Sequence, residues 1–114
     1  MKINVKGEEI ELVYSFRSSI YFEEIAGHKL DYDNMSATDL AKLFYVNVYA
    51  TMQKLGMPPV TYLEFQDVID DNGGDICIYK FSNWYADVQK RNWELINSIE
   101  EEPDEKKQAA KKKI

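Results

Sequence analysis

The chain is 114 residues long and 45% hydrophobic, with eight tyrosines, five phenylalanines and two tryptophans, enough for one hydrophobic core and too short for two domains of ordinary size. Its net charge of -6 disfavours a nucleic-acid partner, which needs a concentrated basic face, and no apolar run approaches the roughly 18 residues of a membrane span. Cys77 is the only cysteine, which excludes an intrachain disulfide, and the opening Met1-Lys2-Ile3-Asn4-Val5-Lys6-Gly7 lacks the apolar run of a signal peptide, so a reducing cytoplasm is expected.

Alternation of apolar residues, first Ile3 and Val5 and then Ile10, Leu12 and Tyr14 after Lys6-Gly7-Glu8-Glu9, predicts a β-hairpin whose apolar face must pack onto the next elements of the chain. Ser15 is placed to cap a short helix carrying Phe16, Ile20, Tyr21, Phe22 and Ile25, and Gly27 to end it. Residues Lys29 to Met35 read as a loop, and Ser36-Ala37-Thr38-Asp39 resembles a capping box. Leu40, Leu43, Phe44, Val48, Met52 and Leu55 then recur at three- and four-residue spacing up to Gly56, which predicts a second helix at the centre of the core. Pro58-Pro59 forbids its continuation. Thr61 followed by Glu64 opens a third helix with Tyr62, Leu63, Phe65, Val68 and Ile69, closed by Asp71-Asn72-Gly73-Gly74. From Asp75 to about Ser98, Phe81, Trp84, Tyr85, Val88, Leu95, Ile96 and Ile99 suit a long amphipathic helix, although Ile76-Cys77-Ile78-Tyr79 also fits an extended segment; helix is the reading adopted.

The fold class expected is therefore mainly α, or small α+β: an N-terminal hairpin followed by about four helices in a single domain over residues 1–99. Residues 100–114 hold one apolar side chain larger than alanine, Ile114, and are expected to form a charged, disordered tail. Five acids and five lysines cancel in that tail, so the acid excess lies wholly in residues 1–99.

No catalytic or cofactor-binding constellation is expected. Asp67, Asp70, Asp71, Asn72 and Asp75 surround two glycines, but the register of a calcium loop starting at Asp70 places Gly74 at position five, Asp75 where the glycine belongs and Phe81 where the bidentate acid belongs. A solvated turn, with Asp75 capping the next helix, accounts for them. His28 is the only histidine, so a zinc site would need both it and Cys77 plus two carboxylates, and no pair shows a metal-ligand spacing. A Cys77–His28 nucleophile pair has no local support, because Ile76 and Ile78 flank the thiol as they would a buried hydrophobe. Trp93 lies off the stripe of Val88, Leu95 and Ile96 by helical angle, which leaves it either closing over the hairpin or exposed for a partner.

Four stretches together resemble the tail assembly chaperones of long-tailed bacteriophages and prophages. They are the hairpin running into Phe16-Arg17-Ser18-Ser19-Ile20-Tyr21-Phe22-Glu23-Glu24-Ile25-Ala26-Gly27, the helix from Asp39-Leu40-Ala41-Lys42-Leu43-Phe44-Tyr45 to Tyr49-Ala50, the segment Thr61-Tyr62-Leu63-Glu64-Phe65-Gln66-Asp67 with Asp70, and the aromatic last helix. The resemblance implies a non-enzymatic protein of the host bacterial cytoplasm, absent from the mature virion. It coats the tape measure protein in multiple self-associating copies and keeps it soluble until tail tube subunits polymerise around it. The tape measure protein, and the major tail tube protein beside it, are the partners implied. The resemblance also implies two chain lengths made by a ribosomal frameshift, and Lys106-Lys107 or Lys111-Lys112-Lys113, encodable by adenine runs, suggest that this is the short form. Exposed apolar anchors are what holding a client requires, with Trp93, Tyr85 and Tyr45 the candidates. The rival readings are another small phage or bacterial adaptor or regulatory protein, and a nucleic-acid-binding module acting through the lysine tail.

Overall fold

A computed structural model describes residues 1–100, and for Glu100 only the backbone; the expected disordered tail beyond lies outside the described residues. Its elements are β1 (Lys2–Val5), β2 (Glu8–Glu11), α1 (Phe16–Ala26), α2 (Ala37–Lys54), α3 (Tyr62–Asp71) and α4 (Asp75–Glu100), with one turn of 3-10 helix at Tyr32–Asn34. The hairpin-then-four-helices order is the architecture expected. Two compact units divide the chain between Asn83 and Trp84, inside α4.

In the first unit, β1 and β2 pair antiparallel with Ile3 opposite Ile10 and Val5 opposite Glu8. Lys6 and Gly7 both take positive φ, 51° and 89°, the turn whose twist matches a two-residue hairpin and which favours glycine at its second position. Alternation puts Ile3, Val5, Ile10 and Leu12 on one face, and all four are buried. Asn72, just past α3, fastens the strand: its Oδ1 accepts from the Asn4 backbone N–H at 2.9 Å and its Nδ2 donates to the Asn4 carbonyl at 2.7 Å. One side-chain amide thus supplies the donor and acceptor that a third strand would offer the edge of β1.

The expectation that α2 forms the centre of the core holds for the first unit. From Leu43 to Met52 every residue except Tyr49 is buried, the pattern of a helix enclosed on all sides. Phe44 stacks on Phe81 at 4.4 Å between centroids and meets Phe65 edge-on at 5.0 Å, so three helices share one aromatic cluster. The Thr51 hydroxyl and the Asn47 amide nitrogen are tied to backbone, while Asn47 Oδ1 has no partner among the described residues. The Thr51 hydroxyl accepts from the Val13 N–H at 3.2 Å and donates to the Asn47 carbonyl at 2.8 Å, and Asn47 Nδ2 donates to the Leu43 carbonyl at 2.8 Å.

Helix ends follow the sequence signals with two corrections. Gly27 ends α1 with φ 78°, and Thr61 with Glu64 forms the full reciprocal capping box of α3. Ser36 caps α2 by accepting from the Asp39 N–H. Ser15 stands at the N-cap of α1 but its side chain caps nothing; its buried Oγ has no partner among the described residues, while the Ser18 hydroxyl donates to the Ser15 carbonyl at 2.7 Å. Asp75 is the first residue of α4 rather than its cap, because the two preceding glycines, at φ 109° and 62°, carry the chain into the helix and the Gly74 carbonyl accepts the first helical bonds from Cys77 and Ile78. Residues 76–79 are helical, so the extended alternative is set aside.

In the second unit α4 continues with Tyr85 and Val88 buried. The apolar stripe then goes on through Leu95, Ile96 and Ile99, which are exposed. Periodicity reports a continuous apolar face but not where burial along it stops. No helix among the described residues is long and apolar enough to cross a membrane.

Candidate functional site

The three anchor candidates have different fates. Trp93 is 62% exposed on the second half of α4. Tyr85 is 1% exposed, with Trp84 beside it at 6.4 Å and only half-buried. Tyr45 is 9% exposed, and its hydroxyl donates to the Val60 carbonyl at 2.8 Å. Burial holds the Tyr45 phenol above its ordinary range, with the neighbouring Tyr49 and Glu64 adding to the shift, so it remains a neutral donor. The expectation of Tyr45 and Tyr85 as exposed surface anchors is corrected on this ground: their helical phase directs both rings inward, so neither stands out in solvent.

Tyr45 nevertheless forms one wall of a cleft. Tyr21, Glu24 and Ile25 of α1 and Tyr45, Val46 and Tyr49 of α2 line a volume of about 300 Å³. Tyr21 and Tyr49 meet edge-to-face at 5.3 Å, and Tyr49 lies 5.9 Å from Tyr45. The Tyr21 hydroxyl donates to Gln53 Oε1 at 2.8 Å, which fixes that ring at the mouth. Apart from Tyr45, these residues were not among the sequence candidates, because they come from two helices and only packing joins them.

Large apolar side chains are also left in solvent. In the first unit these include Phe16, Leu63, Ile76 and Tyr79, and in the second Trp93, Leu95 and Ile99, each more than 60% exposed. At 100° per residue Phe16 and Ile20 fall opposite the buried Ser18 and Phe22 of α1, a signal present in the sequence. Leu55, expected on the helix at the centre of the core, is exposed, and so is Leu63.

Residues weighed for chemistry stand apart. Cys77 is buried and burial pushes its thiol up, against the nearby Lys80 charge, the opposite of an activated thiolate. His28 has both ring nitrogens engaged, Nδ1 with the Lys29 carbonyl at 2.8 Å and Nε2 with the Asp39 carboxylate at 3.1 Å. Among the described residues no group of three or more His, Cys, Asp or Glu is placed to hold a metal ion. The comparisons with known proteins return no match: no family model, no curated protein and no solved structure aligns significantly with this chain.

Proposed function

We propose that this protein is a non-enzymatic holding protein, a tail assembly chaperone that binds the tape measure protein of a long-tailed phage or prophage in the host cytoplasm and keeps it soluble during tube assembly. The observation that carries the reading is the set of large apolar side chains left in solvent, Phe16, Leu63, Tyr79, Trp93, Leu95 and Ile99, on helices α1, α3 and α4. Scattered single hydrophobes are ordinary, but this many at high exposure suits a chain that spends its working life covered. Several copies along one extended client, each with a modest contact, reach high avidity without a deep pocket. The acid excess of residues 1–99 keeps such a surface soluble and repels neighbouring copies until a client bridges them.

Co-expression with the very long protein encoded downstream of a major tail protein gene tests the assignment. Soluble client that co-purifies with this chain is the expected result; a client that stays insoluble and does not co-purify overturns it. The two-length hypothesis has its own check in the coding DNA, where a slippery adenine-rich heptamer and an overlapping frame are required near Lys106-Lys107 or Lys111-Lys112-Lys113.

A further inference from the structure

The last turn of α1 carries two acids, Glu23 and Glu24, and no basic residue. Both carboxylates therefore stand at the negative end of the helix dipole, where cations are stabilised and acids are not. Among the described residues no ion pair reaches Glu24, and its side chain lines the cleft beside Tyr21, Tyr45 and Tyr49. The remaining walls, Ile25 and Val46, are aliphatic. A carboxylate alone would take any cation. Three aromatic rings and two aliphatic walls beside it select one with an apolar stem and a weakly hydrated head.

We propose that the cleft between α1 and α2 is a binding site for an arginine or lysine side chain presented by a partner protein, its stem against Ile25 and Val46 and its cationic head among the tyrosine rings and the Glu24 carboxylate. The volume of about 300 Å³ lies at the small end of ligand pockets, the right scale for one side chain. Phe16, 75% exposed, and Ile20, 44% exposed, precede Glu24 at four-residue intervals on the same ridge of α1. A segment delivering the basic residue thus finds apolar ground next to the cleft, and the acid excess of residues 1–99 attracts a basic segment from a distance. The inference goes beyond the holding function and does not depend on which protein is held.

The test is a titration of the full chain, isotope-labelled for NMR, with N-butylguanidinium, neutral butyramide and anionic butyrate as probes. Shifts centred on Tyr21, Glu24, Ile25, Val46 and Tyr49 are expected with the guanidinium alone. The Glu24→Gln variant should bind it about fivefold more weakly, and Tyr49→Leu by a similar factor. Both positions are accessible enough for the variants to fold, which their amide spectra report directly. The proposal is overturned by no cleft shifts with the guanidinium, by equal response to butyramide, or by unchanged binding in both variants. Cleft shifts that follow protein concentration without any probe would assign the site to a second copy of this chain and overturn it too.

Discussion

Ser15 and Thr61 occupy the same formal position before α1 and α3, and their side chains do different things. Thr61 Oγ1 accepts from the Glu64 N–H at 3.1 Å, and the Thr61 backbone N–H donates in return to the Glu64 carboxylate at 3.1 Å, whereas Ser15 Oγ is buried without a partner among the described residues. Thr61→Ala is expected to cost about 1 kcal/mol, the usual loss of a cap, and Ser15→Ala about zero or a small gain, because it removes an unsatisfied hydroxyl rather than a bond. Urea unfolding of the two variants checks the contrast; equal losses would count against it. Glu64 also binds Lys6 of the hairpin turn, and that hydrogen bond, with the two from Thr61, lowers its carboxyl from 4.5 to about 2. Its contribution is therefore present above about pH 4.5 and is lost as pH falls through about 2. Glu64→Gln should flatten the decline of the urea midpoint across that window. His28 behaves oppositely: its bond to the Lys29 carbonyl, then that to Asp39, raises its pKa above 6.5. The stabilisation it gives is full below pH 6.5 and disappears as pH rises through the raised folded value. An NMR titration should find that elevation in the wild type and a smaller one in Asp39→Asn.

At the scale of elements, the hairpin cannot stand alone, and besides the Lys6–Glu64 pair two side chains tie it and its exit to helices. Asn72 pairs with the Asn4 backbone from the end of α3, and Thr51 reaches Val13 from the last turn of α2. Thr51→Val keeps the shape of the buried side chain but strips the part-buried Val13 N–H of its acceptor, which should cost about 1 kcal/mol. Hydrogen exchange at Val13 should accelerate in that variant more than exchange within α3, since the lost bond is local to the hairpin exit. The caps, breaks and stripes of these helices were legible because each depends on residues within one turn of one another. The Asn72 and Thr51 links were not, since nothing local distinguishes an asparagine that ends a helix from one that also completes a strand edge. The same reason hid the cleft. Tyr21 and Tyr49 are 28 positions apart, and only the packing of α1 on α2 brings their rings to 5.3 Å.

At the scale of the whole molecule, the proposed holding function assigns the exposed hydrophobes to a client rather than to the fold, which separates stability from function. Leu95→Gln with Ile99→Gln, and Trp93→Gln alone, should each change unfolding free energy by no more than about 0.5 kcal/mol, as solvent-exposed substitutions do. The same variants should lower the fraction of co-expressed client that stays soluble; a loss of stability without loss of holding would reverse the assignment of these residues. The sequence by itself determined the order and type of the elements, the ends of three of the four helices and the acid excess of residues 1–99, because capping, periodicity and charge are local or additive properties. Only the tertiary structure decided which apolar positions are covered, burying Tyr45 and Tyr85 and leaving Leu63, Leu95 and Ile99 in solvent. It also decided that Glu24 stands among tyrosines. Burial is a property of what lies opposite a side chain, and no residue's own neighbours in the chain specify that.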